Sequence, residues 1–179
     1  KRDWYYDDVV YVYRKGYMDG MSSTRFGGEL NTTRGQIVTI LWRLTGEPRA
    51  TKRNPFTDVS SSQYYYDAIS WAYDAGVVDG FDAHTFKPDQ NITRAEAMTL
   101  INRVLERKPE SPADLLTNMN KWTDNLDTSK WYYLDVQEAT NSHDYERVNN
   151  TSPETWTKIT QQRDWDALEA ELAQKYPNR

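Results

Sequence analysis

Two short runs carry the residue types best suited to hold an anion: Thr33-Arg34-Gly35-Gln36 and Thr93-Arg94-Ala95-Glu96. Apolar residues follow each at helical spacing: Ile37, Ile40, Leu41 and Leu44 after the first, Ala97, Leu100, Ile101, Val104 and Leu105 after the second. The order predicts a capping box, in which the Thr33 or Thr93 hydroxyl accepts from the backbone three residues on and Gln36 or Glu96 reaches back. Arg34 and Arg94 then occupy the first helical position, beside backbone N–H groups that lack an intrahelical partner and at the positive end of the helix dipole. A guanidinium fork there suits a carboxylate better than an ammonium does. Upstream, Asp19-Gly20 and Asp79-Gly80 pair a hydroxyl acceptor with a glycine that lets backbone approach closely. Tyr11 and Trp71 offer flat faces to a sugar ring. Together these residues describe a lectin-like groove in which no bond need be made.

Each residue also has a plain structural role. Arg34 and Arg94 can pair with carboxylates of a neighbouring unit. Thr33, Gln36, Thr93 and Glu96 are first of all caps. Gly20 and Gly80, with Gly16 and Gly76, serve the backbone, and Asp19 and Asp79 suit turns. Tyr11 and Trp71 can simply pack. For the arginines, the helix-start position favours the ligand role.

What positions these residues is an internal duplication. Residues 4–46 align with 64–106 without a gap, sixty positions apart, and 13 of the 43 pairs are identical. Among them are Tyr5/Tyr65, Tyr13/Tyr73, Gly16/Gly76, Asp19/Asp79, Phe26/Phe86, Arg34/Arg94 and Arg43/Arg103. A repeat of this length is one supersecondary unit that cannot bury its apolar face alone. Each unit is predicted as helix, loop, helix. In the second, Tyr65, Ile69, Ala72 and Tyr73 make the stripe of the first helix, and Gly76 ends it in a left-handed conformation. Phe86-Lys87-Pro88-Asp89 then breaks regularity before the second helix.

Residues 1–48 form unit one, 54–108 unit two, 109–121 a short helical linker and 122–179 a divergent unit three. The linker helix is expected to start at Ser111-Pro112-Ala113-Asp114 and run through Leu115, Leu116 and Met119. Unit three opens faithfully with Trp131-Tyr132-Tyr133 and then loses the pattern, with no Gly-Val-Val-Asp-Gly counterpart and no Thr-Arg pair. Residues 145–148 and 155–159, flanking an Asn-Asn-Thr-Ser-Pro turn, suit a β-hairpin. A terminal helix is expected from Asp164, with Trp165, Leu168 and Leu172 in register.

Composition narrows the function classes. A net charge of −5, from 22 basic and 27 acidic residues, argues against broad nucleic-acid binding. Cysteine is absent, which removes thiolate catalysis and cysteine zinc sites. No run reaches the length of a membrane span, so no membrane insertion is expected. The two histidines, His84 and His143, lie at non-equivalent places, no glycosidase carboxylate pair stands out, and Asp79-Gly80-Phe81-Asp82 does not match a calcium loop. No catalytic residue, metal site or cofactor is expected. The chain opens within a repeat at Lys1, as a piece of a longer protein would.

The motifs in order resemble the S-layer homology domain: Phe56-Thr57-Asp58-Val59, Trp71-Ala72, Gly76-Val77-Val78-Asp79-Gly80, Phe86-Lys87-Pro88 and Ile92-Thr93-Arg94-Ala95-Glu96, with a looser copy in unit one. The resemblance covers residues 4–107 well and 122–139 in part. It implies a mainly α fold: a pseudo-threefold array of helix-loop-helix repeats whose second helices make a central bundle, here with the hairpin in unit three. It also implies a module of an exported, bacterial cell-surface protein that binds anionic, pyruvylated secondary cell-wall polysaccharide in grooves between units, the arginine of the Thr-Arg motif meeting the anion. With the third motif lost, one or two working grooves are expected. The alternative is a structural or protein-interaction domain that has kept the fold and lost glycan binding.

Overall fold

In the computed structural model, residues 3–161 are described, with 164, 167, 170, 171 and 174 beyond them. The elements run α1 (Tyr6–Arg14), α2 (Arg34–Leu44), α3 (Tyr66–Asp74), α4 (Arg94–Val104), a 3-10 turn (Pro112–Asp114), α5 (Tyr133–Thr140), β1 (His143–Glu146) and β2 (Thr155–Ile159). The mainly helical fold with one small antiparallel hairpin matches expectation. Of the terminal helix expected from Asp164, residues 167, 170, 171 and 174 are helical, and Trp165, Leu168 and Leu172 lie outside the described residues.

Both capping boxes form. Thr33 Oγ1 accepts from Gln36 N while Gln36 Oε1 accepts from Thr33 N, and Thr93 and Glu96 do the same for α4. The first helices end as expected, with Gly16 and Gly76 at φ of 71° and 70°. The second helix of each unit packs chiefly on the first helix of the next: α2 on α3 and α4 on α5. α2 also touches α4 more lightly, and Arg34 at the start of α2 reaches Glu96 in the first turn of α4.

Unit two supplies most of the main core, in which Val38 of α2 joins Phe56, Val59, Tyr65, Ala68, Ile69, Ala72, Val77, Val78 and Phe86. The Phe56-Thr57-Asp58-Val59 run has a definite task. Phe56 and Val59 enter the core, and the Asp58 carboxylate accepts from the backbone of Phe86 (2.9 Å) and Lys87 (2.8 Å), which fixes the Phe-Lys-Pro loop. Gly80, at φ 88°, lies so close that an added Cβ would sit 2.4 Å from a Phe56 ring carbon.

Unit three has a separate small core of Leu115, Tyr133 and Trp156. Two expectations are corrected there. The linker helix is only the single turn Pro112–Asp114, because Leu115 turns to extended backbone (ψ 158°) and its side chain enters this core. The first hairpin strand is His143–Glu146 rather than 145–148, with a register shift between Asp144 and Tyr145. The His143 ring stacks on Trp156 at 3.9 Å, while Val148 is left in solvent.

Candidate functional site

The two Thr-Arg helix starts have different surroundings. At α2, unit two fills the open donors: Arg34 N–H donates to the Gln90 carbonyl (2.9 Å) and Gly35 N–H to the Pro88 carbonyl (2.8 Å). The Arg34 side chain follows. Its Nε donates to the Phe86 carbonyl (2.9 Å), its Nη1 meets Glu96 at 3.5 Å, and the guanidinium lies 4.8 Å over the Phe86 ring. Burial pulls Arg34 below the ordinary arginine value, against the neighbouring Glu96 and Asp58 carboxylates. Gly35 lets the two units approach closely here, since a Cβ would stand 3.0 Å from the Tyr65 ring and 3.1 Å from the Pro88 oxygen. Arg34 is thus a clasp between units, the structural alternative open to it in sequence.

At α4 the same motif has no clasp to make. Arg94 is exposed, and no described residue pairs with its guanidinium or accepts from the N–H of Arg94 or Ala95. The cause is unit three, which offers the hairpin in place of a second Phe-x-Pro loop. The α4–α5 junction is held instead by Thr99 Oγ1 to Asp135 (2.8 Å) and by Asn102 Nδ2 to the Asp135 carbonyl (2.9 Å).

A groove of about 540 Å³ opens beside the start of α2. Asp19, Gly20, Thr33 and Gln36 line it, as do Arg43 and, from unit two, Tyr64 and Asp89. Tyr11 and Trp71 do not: Tyr11 meets Tyr17 edge-on, and Trp71 packs against the main core. The groove's cation is Arg43, in the last turn of α2, whose Nη2 donates to Asp19 at 2.7 Å and whose Nη1 donates to the Tyr17 carbonyl at 3.4 Å. The sister unit repeats the arrangement, with Arg103 Nη1 donating to Asp79 (2.9 Å) and to the Val77 carbonyl (3.0 Å). Asp79 and Gly80 therefore correspond to Asp19 and Gly20. Arg43/Arg103 was visible as an identical pair in the duplication, but its place at the end of the helix hid that it folds back onto Asp19 or Asp79. Burial and Asp89 push the Tyr64 phenol above its ordinary value, against a hydrogen bond with Thr33.

A second charged cluster lies inside unit three. Glu138, His143 and Glu154 present ligand atoms within 4.8 Å of one another, a metal-like set. Arg107 occupies its centre, with Nη2 at 2.9 Å from Glu138 and 2.8 Å from His143 Nε2, and Nε at 2.9 Å from Glu154. Arg147 adds a contact to Glu154 at 3.3 Å. Two guanidiniums against two carboxylates neutralise the cluster and place positive charge where a cation would sit.

The fold and groove define a class: a tandem-repeat helical module with an Asp–Arg pair in each of its first two units, the first of which lines an open cleft. Residues 1–38 and 55–98, together a little under half of the chain, match the sequence model of the S-layer homology domain. Similar proteins include Cell surface glycoprotein 1 of Acetivibrio thermocellus, 36% identical over 99 residues (54% of this chain, 4% of that protein). The Cellulosome-anchoring protein of the same organism is 27% identical over 151 residues (79% and 31%). The Endoglucanase of a Bacillus species is 26% identical over 167 residues (89% and 17%). The chain thus spans less than a third of the length of each of these relatives.

Proposed function

We propose that this chain is an anchoring module. It holds a larger exported protein on the bacterial cell wall by gripping an anionic, pyruvylated secondary wall polysaccharide. The observation that carries the reading is the open groove in which Asp19 and Arg43 stand 2.7 Å apart beside Tyr64. Asp19 is largely exposed and keeps acceptor capacity for sugar hydroxyls, while the guanidinium edge can donate to a carboxylate. Arg94 supplies a second cation whose fork is not spent on the protein, at a helix start whose first N–H groups also lack a described acceptor. The S-layer homology match of two segments and relatives named for cell surfaces and anchoring support the wall as the place of work. Binding of this kind uses existing donors and acceptors and breaks no bond.

Sedimentation with walls purified from Acetivibrio thermocellus tests the reading, with walls stripped of polymer as control. The wild-type chain is expected to pellet with intact walls only, and less as salt rises. Arg43→Gln combined with Arg94→Ala should abolish pelleting while unfolding stays cooperative. Full pelleting of that double variant refutes the arginine-based grip. A specific observation favours a structural role for Arg34 alone: its guanidinium is already engaged by Phe86 and Glu96.

A further inference from the structure

Each unit opens its first helix with three aromatics in a row: Trp4-Tyr5-Tyr6, Tyr64-Tyr65-Tyr66 and Trp131-Tyr132-Tyr133. In all three, the leading ring stands two residues before the helix begins. It also meets the next tyrosine edge-to-face, at 5.4 Å and 81°, 4.9 Å and 67°, and 5.3 Å and 87°. The leading ring nevertheless remains in solvent, with Trp4 87% exposed, Tyr64 59% and Trp131 63%. One exposed aromatic needs no explanation. Three at one structural position, each braced from behind by a second ring, form rigid and largely unused apolar faces.

Tyr64 shows what that position borders, because it lines the groove that holds Asp19 and Arg43 and shares it with Thr33. α5 packs on α4 as α3 packs on α2, and Trp131 precedes α5 by the same two residues as Tyr64 precedes α3, so it is the counterpart of Tyr64 at the second junction. We infer that Tyr64 and Trp131 are the stacking platforms for pyranose rings of the ligand, one at each junction. The inference rests on the wall-glycan reading and deepens it. The polar pairs Asp19–Arg43 and Asp79–Arg103 read hydroxyls and the anionic substituent, and the ring face reads the sugar's C–H face. The ligand is therefore a chain of pyranoses, able to span two platforms, and not a free small anion.

The test is the same wall sedimentation with Tyr64→Ala, Tyr64→Phe, Trp131→Ala and Trp131→Phe beside wild type and Arg94→Ala. Each alanine variant should bind roughly tenfold more weakly, the loss of one stacked ring, and each phenylalanine variant should stay within about twofold of wild type. Both alanine variants binding like wild type while Arg94→Ala is impaired would overturn the stacking inference and leave the anchoring reading standing. Phenylalanine variants as weak as alanine would also overturn it, since the phenol or indole N–H would then be the contact rather than the ring face. A wild-type chain that ignores intact walls would sink both readings together.

Discussion

Arg34 and Arg94 occupy equivalent positions, yet their removal should have opposite consequences. Arg34→Ala loses a charged hydrogen bond to the Phe86 carbonyl at 2.9 Å, a stack on the Phe86 ring at 4.8 Å and a longer contact to Glu96 at 3.5 Å. A hydrogen bond from a charged group contributes roughly 1.5–3 kcal/mol and the cation–π contact about 0.5–1 kcal/mol. The Glu96 contact, partly exposed, adds a few tenths at most. Since one guanidinium makes all three, the expected cost is about 2–4 kcal/mol, or a melting temperature lower by roughly 5–15 °C for a chain of this size. Arg94→Ala removes an exposed side chain with no described partner and should stay within about 0.5 kcal/mol of wild type. Calorimetry paired with wall sedimentation separates the two roles. Arg34→Ala should melt early and, below its midpoint, still bind walls through Arg43 and Arg94. Arg94→Ala should melt normally and bind weakly. Equal melting shifts in the two variants, or an Arg34→Ala protein of native stability that no longer binds, would refute the division between clasp and ligand contact.

Other perturbations follow from the same geometry. Gly80→Ala should cost about 3 kcal/mol or more, because its Cβ would meet Phe56 at 2.4 Å on a left-handed backbone, whereas Gly76→Ala, with nothing within 4 Å, should cost only about 1 kcal/mol; urea titration of the pair checks this. Asp58→Ala frees the Phe86 and Lys87 N–H groups and should loosen the Arg34 clasp as well, so the double variant with Arg34→Ala should cost less than the sum of the two singles. Arg107→Ala takes the nearer guanidinium from two buried carboxylates, leaving Glu154 only the longer Arg147 contact, and should cost roughly 3 kcal/mol at neutral pH, visible as a red shift of Trp156 emission. Its deficit should narrow as pH falls towards about 5. Burial and Glu138 already hold the Glu154 carboxyl above its ordinary value, and loss of Arg107 raises it further. A raised folded-state value stabilises at low pH and loses that contribution as pH climbs through it. A deficit that instead widens in acid would show that Glu154 remains ionised.

The duplication made much of this legible. Helix starts, capping boxes and the glycine stops of the first helices follow from local chemistry, and local chemistry is written in adjacent residues. The hairpin of unit three was legible for the same reason, through its turn residues and the alternation of Thr155–Ile159. What escaped were facts about neighbours. Arg43 and Arg103 lie at helix ends, 24 residues from the aspartates they bind, and no spacing rule links them. Tyr11 and Trp71 had the right type for a sugar platform, but α-helical geometry turns Trp71 against the core. The ring that does reach the groove, Tyr64, stands just before the helix, where periodicity has no opinion about direction. Leu115 leaves its turn because Tyr133 and Trp156, 18 and 41 residues away, need a third partner in their core.

A repeated motif fixes what a residue can do, and the unit beside it fixes what the residue does. The Thr-Arg start of α2 faces a Phe-Lys-Pro loop that offers the carbonyls of Phe86, Pro88 and Gln90, so its guanidinium and first amides are consumed in joining two units. The identical start of α4 faces a unit in which that loop has been replaced, so the same groups stay available to a ligand. Unit three carries neither a Thr-Arg motif nor the acceptor loop, and without that loop Arg94 has no carbonyl to clasp. The number of anion contacts therefore need not fall in step with the number of intact motifs. Grafting a Phe-Lys-Pro-Asp loop onto unit three, so that Arg94 acquires a carbonyl to clasp, should raise the melting temperature and lower wall affinity together. A graft that stabilises the chain without weakening its hold on the wall would break that link.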